Sequence, residues 1–342
     1  MTASAAIPRP GSLTGRRAID DLLPAKGAVA HSESPGQIAR RRLREDRTFH
    51  VALVVFTAIV VMCFSSSFFE KHWAHTTYST QDLSGKVGDQ ELIDLRGMPK
   101  VGPGLRTEYT LGTDPLGRDL FMRVLQGGKI SLTIGFGAAL LPIIFGVFLG
   151  TMAGFMGGRA DMIISRTFDV MLGFPGTLFA IALSTALSTG DGFLFIKRGS
   201  VMLQILILGF VAIAFFGRII RSQALSLGER EFVEAARALG AGNMRIMGKH
   251  ILPHLSSTVL TYSGILIASL ILAEAGLSFL GVGVLPPMPS WGNIIADGKI
   301  FYSTAWWVAF FPGLFIMITV LSLNLIGQSL EEALDPKSIG GK

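Results

Sequence analysis

The sequence predicts an all-α membrane protein with six transmembrane helices, and three observations predict it. Half of the 342 residues are apolar and only 16% are charged, well under the quarter expected of a soluble globular domain. Charged side chains are missing from six long stretches, 51–69, 130–158, 170–190, 199–217, 255–273 and 300–330. Basic residues gather at alternate ends of those stretches, as the excess of Lys and Arg on cytoplasmic loops requires. At about 1.5 Å of rise per residue, roughly 20 apolar residues cross a hydrocarbon core of about 30 Å. A large soluble helical core would instead show polar faces at helical spacing, and the stretches show none. The net charge of +6 is explained by loop arginines rather than by nucleic-acid binding.

The elements follow in order. Residues 1–48 are rich in Ala, Pro, Gly, Ser and Arg without apolar periodicity, which predicts a disordered cytoplasmic tail. Arg40, Arg41, Arg42, Arg44 and Arg47 precede the first apolar run and place the N-terminus inside. The first transmembrane helix is expected over 49–69 as a retained anchor. Its outer flank, Glu70-Lys71-His72-Trp73, lacks a small-residue cleavage site. Cys63 lies in this run and is the only cysteine, so an internal disulfide is impossible. Segment 70–129 is then extracytoplasmic, with turn-forming Gly102-Pro103-Gly104 and a close at Leu111 to Asp119 that reads as turns leading into a helix. Residues 130–330 supply five further spans, with a cytoplasmic loop over 222–254, and 331–342 form a cytoplasmic tail. Arg159, Arg166, Arg218, Arg221, Arg230, Arg237, Arg245 and Lys249 then fall at cytoplasmic ends. Gly135, Gly137, Gly146, Gly150 and Gly154 would let neighbouring helices approach closely.

The loop carries the main functional signal. Leu227 to Gly240 has acidic residues early, Arg237 late and a glycine at its stop, the marks of a short helix. Phe232, Ala235, Ala236 and Leu239 recur at helical spacing and form a thin apolar stripe suited to another protein's groove. A second helical piece is expected from about Asn243 to Leu252, ended by Pro253. Glu234-Ala235-Ala236, Gly240 and Ile251-Leu252-Pro253 resemble the EAA loop of ABC importer permeases. The general pattern of that family has isoleucine where this chain has His250; His-Ile-Leu-Pro is similar to the form used by the dipeptide, oligopeptide and nickel branch.

Leu111 to Asp119, Glu274 to Gly292 and Pro312 to Pro336 resemble the same branch, so the likeness covers roughly 105–337. It implies a C-type permease subunit with ABC type I importer architecture in a bacterial inner membrane. Its partners would be a homologous B-type permease subunit, two ATPase subunits and an extracytoplasmic substrate-binding protein. Glu231, Phe232, Glu234, Ala235, Ala236, Leu239, Gly240, Ile251 and Pro253 would dock the ATPase. The sequence has no G-x-x-x-x-G-K-[ST] phosphate loop, so this subunit is expected not to be an enzyme, with ATP and Mg held by partner subunits. Peptide is the expected substrate, with nickel or another small solute as the alternative, and an ion-gradient-driven secondary transporter is the rival class.

Outside the loop, Glu274 lies deep in the fifth apolar stretch, where a carboxylate needs a partner or a watery cavity. Structural hydrogen bonding and a role in gating or substrate passage both stay open for it. Thr113, Asp114, Gly117, Arg118 and Asp119 form either a helix-starting turn or a contact with the binding protein. Arg166 and Asp169 can pair across one helical turn. His250 with His254, and His72 with His75, have helical metal-ligand spacing, but Pro253 and the lack of neighbouring Cys or carboxylate ligands argue for no metal site. Trp291, Trp306 and Trp307 are expected at the outer interface.

Overall fold

The computed structural model describes residues 35–74, 76–94, 97–104, 109–187, 196 and 199–334. Five helices are long and apolar enough to cross a membrane: α2 (Arg47–Phe64), α3 (Leu120–Met156), α6 (Val201–Gly228), α8 (Asn243–Phe279) and α10 (Trp307–Leu334). The sixth crossing is a broken pair, α4 (Gly158–Leu172) and α5 (Gly176–Leu187), bent by 86°. Short helices α1 (Pro35–Glu45), α7 (Glu231–Ala238) and α9 (Trp291–Gly298) complete the helical set used below. A small antiparallel hairpin, β1 (Lys86–Val87) and β2 (Gln90–Glu91), sits in the segment between α2 and α3.

The third crossing therefore differs from the expected continuous span over 170–190. Pro175 offers no backbone N–H and disfavours helical geometry at Phe174, so the chain turns between Leu172 and Gly176. Residues 188–190 lie outside the described set. Two other prolines behave differently. Pro142 opens a π turn over Pro142–Gly146 inside α3, and a π turn over Met247–Ile251 precedes Pro253 in α8. The extra residue in a π turn removes the missing N–H from the helical ladder. Pro253 consequently does not end a helix: Asn243 to Phe279 is continuous.

α3 also begins ten residues before the expected 130, at Leu120. Arg123 and Lys129 made this stretch look too polar for a span, yet Arg123 is buried in ion pairs. At the N-terminus, the expected disordered tail over 1–48 is corrected by α1. Ala39 is buried, and the Arg42 guanidinium donates to the Glu332 carbonyl at the end of α10; residues 1–34 lie outside the described set. The expected tail over 331–342 is helical up to Leu334, and the remainder is likewise outside that set.

The glycines perform the expected close packing. A Cβ at Gly150 would sit 2.4 Å from the Gly217 carbonyl oxygen, and one at Gly154 would sit 2.4 Å from that of Arg221. One turn after another of α3 thus lies directly on α6. Gly135 meets Ile271 of α8 in the same way, at 2.4 Å. α3 is the central strut between α6 and α8.

Candidate functional site

At one end of α3 the chain builds a rigid projection. α7 carries Glu231 and Glu234 in its first turn and Arg237 in its last, each complementing the helix dipole. It stops in a Schellman motif: the Gly240 N–H donates to the Arg237 carbonyl at 2.9 Å and the Ala241 N–H to that of Ala236 at 3.0 Å. Gly240 has φ of +81°, the left-handed conformation that makes glycine the natural residue there.

One face of α7 is claimed by its own chain. Val233 is fully buried in a cluster with Phe155, Ile246, Met247 and Ile251, and Phe232 and Ala236 pack on that cluster. The Phe232 ring stacks on His254 with centroids 4.8 Å apart, and the Arg237 guanidinium lies 5.5 Å over Phe155. α7 is therefore braced at one end by α8 and at the other by α3. The sequence stripe is divided as a result. Phe232, Ala236 and fully buried Ile251 point inward, whereas Glu231, Glu234, Ala235, Leu239, Gly240 and Pro253 are exposed. Leu239 is 89% exposed, an unusual position for a leucine at a well-ordered helix end. Phe232, Ala236 and Ile251 thus brace the projection, and their side chains are not on its outer surface.

Glu274 lies in a different setting. It is fully buried and accepts hydrogen bonds at 2.6 Å from the hydroxyls of Ser131 on α3 and Ser278 on α8. The backbone N–H of Trp291, the first residue of α9, donates to Ser131 Oγ at 3.3 Å. Glu274 thereby joins three helices. An apolar cavity of about 470 Å³ opens beside the α4–α5 bend, between α5, α6 and α8, lined by residues including Ala180, Phe215, Tyr262, Ala273 and Leu277. Glu274 is not on its wall; its carboxylate is satisfied within the bundle by the Ser131 and Ser278 hydroxyls. Toward Arg218, Ser222 and Gln223 the cavity gains a polar mouth.

α7 is thus an exposed helix braced against two membrane spans. Residues 146–340 match the family described as binding-protein-dependent transport system inner membrane component. The chain belongs to that family. It is 35% identical to the dipeptide transport system permease protein DppC of Alkalihalophilus pseudofirmus, over 89% of this chain and 90% of that one. Identity to the oligopeptide transport system permease protein OppC is 33% for Haemophilus influenzae, over 88% of both chains. For Bacillus subtilis OppC it is 34%, over 87% and 88%. A structure of the inward-facing MetNI methionine ABC transporter superposes with a TM-score of 0.53 at 17% identity, covering 62% of this chain and 96% of that one. That likeness concerns the fold. The chain is thus a multi-pass inner membrane component.

At the opposite end of α3, the inner membrane component turns its Leu111–Asp119 segment upon itself. Asp114 is fully buried and pairs with Arg118 at 2.5 Å and with Arg123. Both arginines also reach Asp297 on α9, at 3.4 and 3.2 Å. Asp119 caps α3 through the N–H of Phe121 at 2.8 Å and accepts from the N–H of Tyr109 at 3.1 Å. Burial raises the Asp119 carboxyl above its ordinary range, against these lowering hydrogen bonds. Thr113 donates to the Leu92 carbonyl, and Gly117, with φ of +67°, lies against the Asp82 backbone. All five of the residues considered as binding-protein contacts are buried, and within Leu111–Asp119 the accessible positions are Leu111, Pro115 and Leu116. The Thr113, Asp114, Arg118 and Asp119 side chains are engaged in internal bonds.

Two further positions differ from expectation. Trp291 is fully buried and donates to the Val124 carbonyl at 3.0 Å, and Trp307 donates to that of Thr113 at 3.1 Å, so only Trp306 is exposed as an interfacial ring would be. The Arg166–Asp169 pair forms across one helical turn as expected, at 3.9 Å, and Asp169 also pairs with Arg218 of α6. The two-pronged Arg221–Asp161 pair, at 2.5 and 2.7 Å, was not foreseen. It joins α6 to α4, residues sixty apart, so no local spacing announces it.

Proposed function

We infer that this chain is the permease subunit of an ATP-driven, binding-protein-dependent peptide importer, forming half of the translocation pathway. The observation that carries the coupling role is the doubly braced α7 with Leu239 uncovered at its tip. The dipeptide and oligopeptide transport roles of the relatives support the substrate class. The partners are a homologous B-type permease subunit, two ATPase subunits that hold ATP and Mg, and an extracytoplasmic substrate-binding protein. This subunit is itself non-catalytic. Both termini and α7 lie on the cytoplasmic side, and 70–119 faces outward, as the arginine distribution supports.

Glu231, Glu234, Ala235, Leu239 and Gly240 present the docking surface, while Phe232, Ala236, Ile251 and the π turn before Pro253 stiffen it. A push on α7 then reaches α3 through Arg237 and Phe155 and α8 through Phe232 and His254. Those two helices flank Glu274, and α8 lines the cavity together with α5 and α6, so motion at α7 is felt along the pathway wall. The test is Leu239→Asp in the assembled transporter. Peptide uptake and retention of the ATPase subunits should both fall while the protein still inserts in the membrane. Normal uptake with ATPase retained would remove α7 as the docking element.

A further inference from the structure

The basic cluster that precedes α2 is part of a folded, oriented element. Ala39, Arg42, Leu43 and Asp46 recur at i, i+3, i+4 and i+7 and form the side of α1 that meets α10. Ala39 is buried, Arg42 reaches the Glu332 carbonyl, Leu43 is half-buried, and the Asp46 side chain bonds Ser329. At 100° per residue this leaves Arg40, Arg41 and Arg44 on the opposite side, and all three are exposed. Four acidic groups near α1 are among the described residues. Asp46 and the end of α10 at Glu332 lie on the α10 side, Glu45 flanks the exposed face, and Glu331 is exposed beside Glu332.

A single residue, Asp46, separates α1 from the membrane span, so α1 has no length of chain with which to leave the bilayer surface. Arg47 then heads an exposed stripe of α2, Val51, Val54, Ala58 and Val61. That stripe is apolar and uncovered, with Val51 and Val54 about two-thirds exposed, as a face in contact with acyl chains must be. The arginines therefore sit where acyl chains give way to headgroups.

We propose that the exposed face of α1, with Arg47 at the head of α2, binds anionic phospholipid headgroups through Arg40, Arg44 and Arg47. Guanidinium groups match phosphodiester oxygens in charge and in planar donor geometry, and clasping of α1 to α10 fixes the face without ordering at each binding event. The bound lipid would link the first and last spans at their shared corner.

The test uses the purified full chain, delipidated and then exposed to equal amounts of phosphatidylglycerol and phosphatidylcholine, with retained lipid read by native mass spectrometry. Wild type should retain phosphatidylglycerol preferentially. R40Q/R44Q, which leaves Arg41, Arg42 and Arg47 to orient the span, should lose at least about fivefold of that preference, since each basic residue near an anionic surface is worth roughly that factor. R40K/R44K should keep most of it. Raising salt should weaken the wild-type preference without any substitution, which keeps the proposal testable if a variant proves unstable. Absence of a wild-type preference, or an unchanged preference in R40Q/R44Q, would overturn the assignment. None of these results bears on Leu239, so this failure is distinct from failure of the docking role.

Discussion

The two ends of α3 use their side chains in opposite ways. At the Asp119 end, Asp114, Arg118 and Arg123 are withdrawn from solvent and satisfied by one another and by Asp297. At the Met156 end, α7 buries Val233 on its inner side and leaves Leu239 and Ala235 uncovered. The first arrangement fixes a shape and leaves little for a partner to hold. The second fixes an orientation and leaves a surface. Buried ion pairs are expensive to break because removing one partner strands the others, whereas an exposed leucine contributes almost nothing to the fold that displays it.

Substitutions can break this contrast in order of size. Asp114→Ala leaves two buried guanidinium groups sharing the half-exposed Asp297 and should destabilise the protein by about 3 kcal/mol, read as a large drop in thermal midpoint in detergent. A loss below about 1 kcal/mol would mean that water solvates the cluster and that the Asp119 end is no tighter than the Met156 end. Glu274→Ala leaves the Ser131 and Ser278 hydroxyls without their acceptor and should cost about 1–3 kcal/mol. Uptake per folded molecule should stay near wild type, since Glu274 joins helices and does not line the cavity; a selective loss of uptake would restore it to the pathway. Gly240→Ala forces a side chain into left-handed backbone and should cost about 1 kcal/mol. Space is open around that position, so a larger penalty would reveal packing at the tip.

Smaller effects sharpen the inner end. Leu239→Asp should change stability by no more than about 0.5 kcal/mol despite its expected effect on partner retention, and a substantial melting shift would show that Leu239 packs in the free subunit. Asp46 is held below its ordinary value chiefly by the Ser329 hydroxyl, against burial as the next largest effect, with the Phe49 and Thr48 backbone N–H groups and the Thr48 side chain adding to the lowering. A lowered folded-state value means that its contribution is present above the ordinary carboxylate range and lost as pH falls through the folded value. Hydrogen exchange of α1 amides should accelerate over that acid window, and Asp46→Asn should flatten the dependence. Equal acid sensitivity in both proteins would place the clasp elsewhere.

Much of this molecule was legible because a bilayer enforces simple rules. Length and charge exclusion located α2, α6, α8 and α10, the glycine ladder of α3 announced a close neighbour, and acidic start, basic end and Gly240 delimited α7. Arg123 misled because the sequence shows a charge and not the buried carboxylates that neutralise it. Pro253 misled because a proline's local effect depends on whether a π turn absorbs it. Asp114 and its neighbours looked available because polarity along a chain does not reveal which polar groups already serve one another.

The sequence by itself determined the spans, the family resemblance and the existence of a short helix between α6 and α8, since these follow from composition, local hydrogen bonding and spacing. Only tertiary structure decided which face of that helix is spent, that Glu274 joins three helices, and that Arg221 meets Asp161. Each of those depends on groups brought together from distant positions, and burial and pairing are properties of the neighbours a residue acquires on folding.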